Sequence, residues 1–141
     1  MHIDHFNNRQ PTPDYDSFLH KIKLFINIDQ DLRHWRTSYT LPEILARYRH
    51  ELPPSLPINR NLIAWILADM DLLKDAPSHA IAFPTMSALI INADVASHQV
   101  ISGKRVIAAE FFCEQRDMLE PNMHPQARME GWFKEYGYTR A

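Results

Sequence analysis

The stretch Asp14–Ile28, DYDSFLHKIKLFINI, decides the fold class. Tyr15, Phe18, Ile22, Phe25 and Ile26 recur at the spacing of one helical face. Asp14 or Asp16 supplies a carboxylate for the orphan amides of a first turn. The spacing predicts a helix over 14–28. Asp29 restarts the chain, and Leu32 and Trp35 suggest a second, short helix to Arg36.

The segment before that stretch, 1–13, reads as a loose arm. Asn7, Asn8, Gln10, Pro11 and Pro13 offer nothing to pack. Residues 14–141 are then one globular domain, since 141 residues suit a single core.

Downstream, Thr40-Leu41-Pro42-Glu43 has the form of a capping box, opening a helix that ends near Glu51. Pro53, Pro54 and Pro57 enforce an extended connector. Asn59 caps the strongest element, 60–75, in which Leu62, Ile63, Ile66, Leu67, Met70 and Leu73 make a broad apolar face. After Pro77 the pattern shifts. Ala80–Phe83 reads as a strand ended by Pro84. The run Ala88–Ile91 fits strand or helix equally. Gln99–Ile101 and Arg105–Phe112, joined across Gly103, read as a hairpin. Pro125 and Gly137 frame a last helix with Met129, Trp132, Phe133 and Tyr136 as its stripe.

The expected fold is therefore α+β. A mainly helical N-terminal two-thirds packs on a small antiparallel sheet or hairpin, closed by a C-terminal helix. Trp132, Phe133 and Tyr138 suit a homodimer contact or a buried terminal helix equally well.

Composition narrows function. Only three glycines occur, at 103, 131 and 137, so phosphate-cradling loops of clustered glycines cannot be built. The single cysteine, Cys113, excludes an internal disulfide and a cysteine-rich zinc site. Net charge is −2, which gives no global drive toward nucleic acid or anionic membrane. The longest apolar run is Leu62–Ala68, far short of the roughly 20 residues of a membrane span. Met1–Asp16 lacks the apolar stretch of a secretory signal. A cytoplasmic protein with no membrane contact is expected.

The most distinctive local feature is a pair of basic–aromatic clusters, Arg33-His34-Trp35-Arg36 and Arg47-Tyr48-Arg49-His50. Guanidinium groups fork onto carboxylate or phosphate and stack on aromatic rings. If two helices place them side by side, Arg33, Trp35, Arg36, Arg47, Tyr48 and Arg49 form one partner-binding face. Solvated helix faces paired with Asp29, Asp31, Glu43 and Glu51 would explain the same residues.

Eight histidines show no tight metal signature. His2 and His5 fall in the arm, and His79, His98 and His124 converge only through tertiary structure. No catalytic, cofactor or metal residue is therefore assigned.

The leading functional expectation is a small intracellular binding protein. It would cover an acidic site on another protein, as an inhibitor, immunity protein, antitoxin or adaptor does. A DNA-binding regulator of winged helix–turn–helix type is the alternative, with Lys104 and Arg105 at the tip of the wing touching phosphate. In a further variant, 87–101 is itself the helix–turn–helix. The third reading is an enzyme whose site assembles only in three dimensions, around His79, His98, Glu110 or Cys113.

Overall fold

A computed structural model describes residues 1–4 and 19–141. The order of elements is β1 (Leu19–Asn27), β2 (Arg33–Thr40), α1 (Leu41–Arg47), β3 (Ser55–Leu56), α2 (Arg60–Met70), β4 (His79–Phe83), β5 (Ala88–Ile91), β6 (Ala96–Ser102), β7 (Val106–Glu114), two short 3-10 turns, α3 (Pro125–Tyr136) and β8 (Thr139–Arg140). Strands carry the architecture. One antiparallel sheet has the order β5-β1-β7 and a second has β4-β2-β6, while β3 and β8 form a small parallel pair.

The expectation of a mainly helical N-terminal two-thirds is thus corrected. Of the helix expected over 14–28, residues 19–27 are a central strand and 14–18 lie outside the described residues. Strand β1 is hydrogen-bonded on both sides, Leu24 sitting opposite Ile90 and Ala109. A central strand is apolar on most positions, and such a run mimics one face of a helix when judged by spacing alone. β-branched Ile22 and Ile26 favour the strand, where their restricted χ1 packs well. The segment expected as a second helix to Arg36 is a turn followed by β2. Asn27 and Asp29 build that turn: the Asn27 side-chain oxygen accepts from Asp29 N at 3.0 Å. Asp29 Oδ2 accepts from the amides of Lys104 and Arg105 at 3.0 and 3.3 Å, tying two loops together.

The two three-stranded sheets meet face to face. Phe25 of β1 packs on Trp35 of β2 with ring centroids 4.6 Å apart. Phe83, Ile91 and Ala93 complete that core. A second, helical core gathers Leu41, Ile44, Leu45, Leu56, Ile63, Leu67, Met129, Trp132 and Phe133.

Several local expectations match. The Glu43 carboxylate reaches back to Thr40, accepting from its amide at 2.7 Å and its hydroxyl at 2.8 Å. Asn59 caps α2 by accepting from Leu62 N at 3.1 Å. Pro125 opens α3, and Gly137, at φ 73°, ends it. The ambiguous segment 86–101 holds strand β5 and all of β6 but its last residue. The expected hairpin is two real strands with the wrong partners: β6 pairs with β2 and β7 with β1. Ser102–Arg105 therefore crosses between sheets, and Gly103 is required there. Its φ is 123°, and a Cβ would lie 2.8 Å from the Arg33 side chain.

Candidate metal centre

Backbone hydrogen bonds hold His2 and Asp4; residues 5–13 of the arm expected over 1–13 lie outside the described residues. His2 and His98 exchange backbone hydrogen bonds at 3.1 and 2.9 Å, forming an antiparallel bridge. Asp4 N donates to Ala93 O at 2.8 Å. In extended backbone, residues two apart share a face. Ile3 is buried in the helical core, so His2 and Asp4 turn together to the opposite side, against His98 of β6.

The result is a convergence of two imidazoles and one carboxylate. One ligand atom from each of His2, Asp4 and His98 lies within 4.8 Å of the other two. Both histidines address the same oxygen: His2 Nε2 is 3.3 Å and His98 Nε2 3.6 Å from Asp4 Oδ1. The other oxygen, Oδ2, faces Lys23, whose ammonium also pairs with Glu110 at 3.0 Å. Lys23 and Glu110 are direct cross-strand partners on β1 and β7. Lys21, two residues earlier on the same face, lies 4.0 Å from both carboxylates.

His98 is held in the state that a metal requires. Its Nδ1 is 2.9 Å from Ala96 O. A carbonyl only accepts, so Nδ1 carries the proton and Nε2 keeps its lone pair. Burial lowers the His98 pKa, against the opposing pull of the Ala96 carbonyl and Asp4, and so favours neutral imidazole. Burial alone would raise Asp4. Hydrogen bonds from His2 and Lys23 and the charges of His98 and Lys23 outweigh it, holding the carboxyl well below the usual range. Burial likewise disfavours charged Lys23, but Asp4 and Glu110 more than restore it. Trp35 stacks on His98 at 5.6 Å and 11°, fixing the ring plane.

This donor set fits a divalent transition metal. Two histidines and one carboxylate on one side, with the other side open, is the ligand pattern of non-heme iron(II) oxygenases. A ligating histidine whose second nitrogen is hydrogen-bonded to a carbonyl is the usual supporting arrangement.

The sequence pointed elsewhere. Arg33 and Trp35 are buried. Arg36 turns to the opposite face of β2 and donates to Gln99 at 2.8 Å. Arg47 lies over Tyr39, 4.4 Å from the ring centre. Tyr48 packs against the helical core. Arg49 donates to the carbonyls of Tyr136 and Gly137 at 2.8 and 2.6 Å. The two clusters lie on a strand and a helix rather than on paired helices. Lys104 and Arg105 are exposed, but their backbone amides are tied to Asp29. Trp132, Phe133 and Tyr138 are buried within the chain. Of the four residues considered for a site assembled in three dimensions, His98 belongs to the candidate triad, and Glu110 stands beside it as a partner of Lys23. His79 is exposed at the start of β4, and Cys113 is opposite His20 near the end of β7. His2, Asp4 and Lys23 were missed. The readable signal was His2-Ile3-Asp4, an apolar residue between two ligand types.

No family model and no curated protein matches the sequence. Solved structures do share the fold, and those described are non-heme Fe(II) alpha-ketoglutarate dependent dioxygenases. They are structures of the Kdo hydroxylase KdoO. Its complex with alpha-ketoglutarate and Fe(III) has a TM-score of 0.69, with 21% identity over 94% of this chain and 51% of that chain. The apo form gives 0.68, with 21% identity over 96% of this chain and 52% of that chain. The cobalt(II) complex gives 0.68, with 21% identity over 94% and 51%. The chain thus spans about half the length of the structures it matches.

These findings correct the leading expectation. The reading as an inhibitor, immunity protein, antitoxin or adaptor rests on the basic–aromatic clusters and on the sequence offering no catalytic constellation. A candidate ligand set, His2, Asp4 and His98, is present on a fold shared with solved dioxygenase structures. The DNA-binding alternative falls with its architecture: β6 and β7 form no wing, and 87–101 holds strands instead of a helix–turn–helix. No helix among the described residues is long and apolar enough to cross a membrane.

Proposed function

We propose that this chain carries a non-heme iron(II) centre on His2, Asp4 and His98 and serves an oxygenase that consumes alpha-ketoglutarate. The observation supporting it most directly is that both imidazoles face one oxygen of Asp4. Bound iron(II) would supply the oxygen chemistry that no side chain provides.

The chain's own residues do the rest. Asp4 offers Oδ1 on the side of the two histidines, while Lys23 restrains Oδ2. His98 presents Nε2 with its ring braced by Trp35 and its Nδ1 proton on Ala96. Lys21 and Lys23 place two ammonium groups beside the triad, where they suit the carboxylates of an anionic co-substrate. Trp35, Phe25 and Phe83 wall the inner side and exclude water there.

The test is anaerobic loading with iron(II), followed by addition of alpha-ketoglutarate. Stoichiometric metal uptake and a visible charge-transfer band on adding the keto acid are expected, both lost in Asp4→Ala and His98→Ala. Absence of stoichiometric binding in the parent protein would refute the reading.

A further inference from the structure

On the face of β1 opposite the triad, a second set of polar side chains is locked in place. Asp94, 1% exposed, receives the His20 ring at Nδ1, 2.9 Å away, and the Lys21 amide at 2.7 Å. Buried Arg60 closes the group with an ion pair to Asp94 and a hydrogen bond to Leu19 O. His20 thus has a fixed ring plane, and its remaining nitrogen, Nε2, sits on the edge away from Asp94.

His20 forms part of the wall of a cleft of about 270 Å³. The rest is mostly apolar, with Val95, Met118, Met123 and Trp132 among the lining residues, and Arg128 stands at its side. The Arg128 guanidinium lies over the Trp132 ring, 5.4 Å from its centre. No carboxylate among the described residues pairs with Arg128. An apolar cleft with a few convergent polar groups is the usual form of a small-molecule site. A stacked guanidinium keeps its N–H edge for a planar anion, and methionines adapt to varied apolar shapes.

We propose that this cleft binds a small organic carboxylate. Its carboxylate would meet the Arg128 fork, its apolar body the methionines and Trp132, and His20 Nε2 would be the second polar contact. This site is separate from the metal centre and does not depend on it.

The test uses chelator-treated, metal-free protein titrated with sodium hexanoate or with hexanol. Trp132 fluorescence and backbone amide shifts are followed, and Trp132→Phe assigns the optical signal. Saturable binding of hexanoate is expected, with shifts confined to residues 92–95 and 118–132. Hexanol should bind about tenfold more weakly, the value of one charge-assisted contact. Arg128→Met, at an exposed position, should keep its melting temperature and lose the preference for the acid. Asp4→Asn should bind hexanoate as the parent does, whatever becomes of the metal reading. No saturable response, equal binding of hexanol, or unchanged preference in Arg128→Met would each overturn the proposal.

Discussion

His98 lies flat against Trp35, ring centroids 5.6 Å apart and planes 11° from parallel. One residue is a candidate ligand, the other the largest fully buried side chain of the sandwich core. That single contact joins the buried core to a candidate ligand. Trp35→Ala should cost about 3–5 kcal/mol in urea unfolding, as for other large-to-small core changes. Trp35→Phe should keep the fold and still weaken cobalt(II) binding, measured by calorimetry. Unchanged affinity in Trp35→Phe would show that the stack does not hold the ligand.

Asp4→Asn preserves shape and removes the charge that both histidines face. Divalent metal affinity should fall by more than the roughly 10–100-fold seen when only a supporting residue is lost. Asp4→Glu should recover part of it. Calorimetric titration with cobalt(II) gives the answer, and parental affinity in Asp4→Asn would remove Asp4 from the ligand set.

Lys23→Met separates co-substrate from metal. Loss of one ammonium should weaken alpha-ketoglutarate binding about tenfold, with a smaller effect on cobalt(II). Competition binding on the metal-loaded protein measures both. A larger loss for metal than for alpha-ketoglutarate would assign Lys23 to support of Asp4 alone.

The buried group around Asp94 should be fragile. Removing one partner leaves an uncompensated charge in a desolvated place. Asp94→Ala should destabilise by about 3–5 kcal/mol in chemical denaturation. A loss below about 1 kcal/mol would mean that water reaches Arg60 in the variant.

Glu43 gives a dependence on pH. The Thr40 amide and hydroxyl hold its carboxyl below its ordinary value of 4.5. A depressed acid contributes stability above its unfolded value and loses it as pH falls through the folded one. The contribution should therefore be complete above pH 4.5 and fade below it. It should amount to about 0.5 kcal/mol, because the pair is solvent-screened. Glu43→Gln should flatten that part of the profile of melting temperature against pH, and an identical slope in the variant would argue against the cap.

What the sequence by itself determined was local. The caps at Thr40 and Asn59, the Pro125–Gly137 frame of α3 and the strand ended by Pro84 all follow from interactions within a few residues. Such signals are readable because donor, acceptor and backbone preference lie side by side in the chain. Tertiary structure decided the rest. Leu19–Asn27 is a strand because β5 and β7 take up its hydrogen bonds from both sides, and those partners lie more than 60 residues away. The candidate site was hidden for the same reason. His2 and Asp4 gain meaning only when His98 arrives on a strand from the other end of the fold, and Lys23 only when paired with Glu110. Ligand geometry is a property of the packed sheets, and spacing along the chain does not encode it.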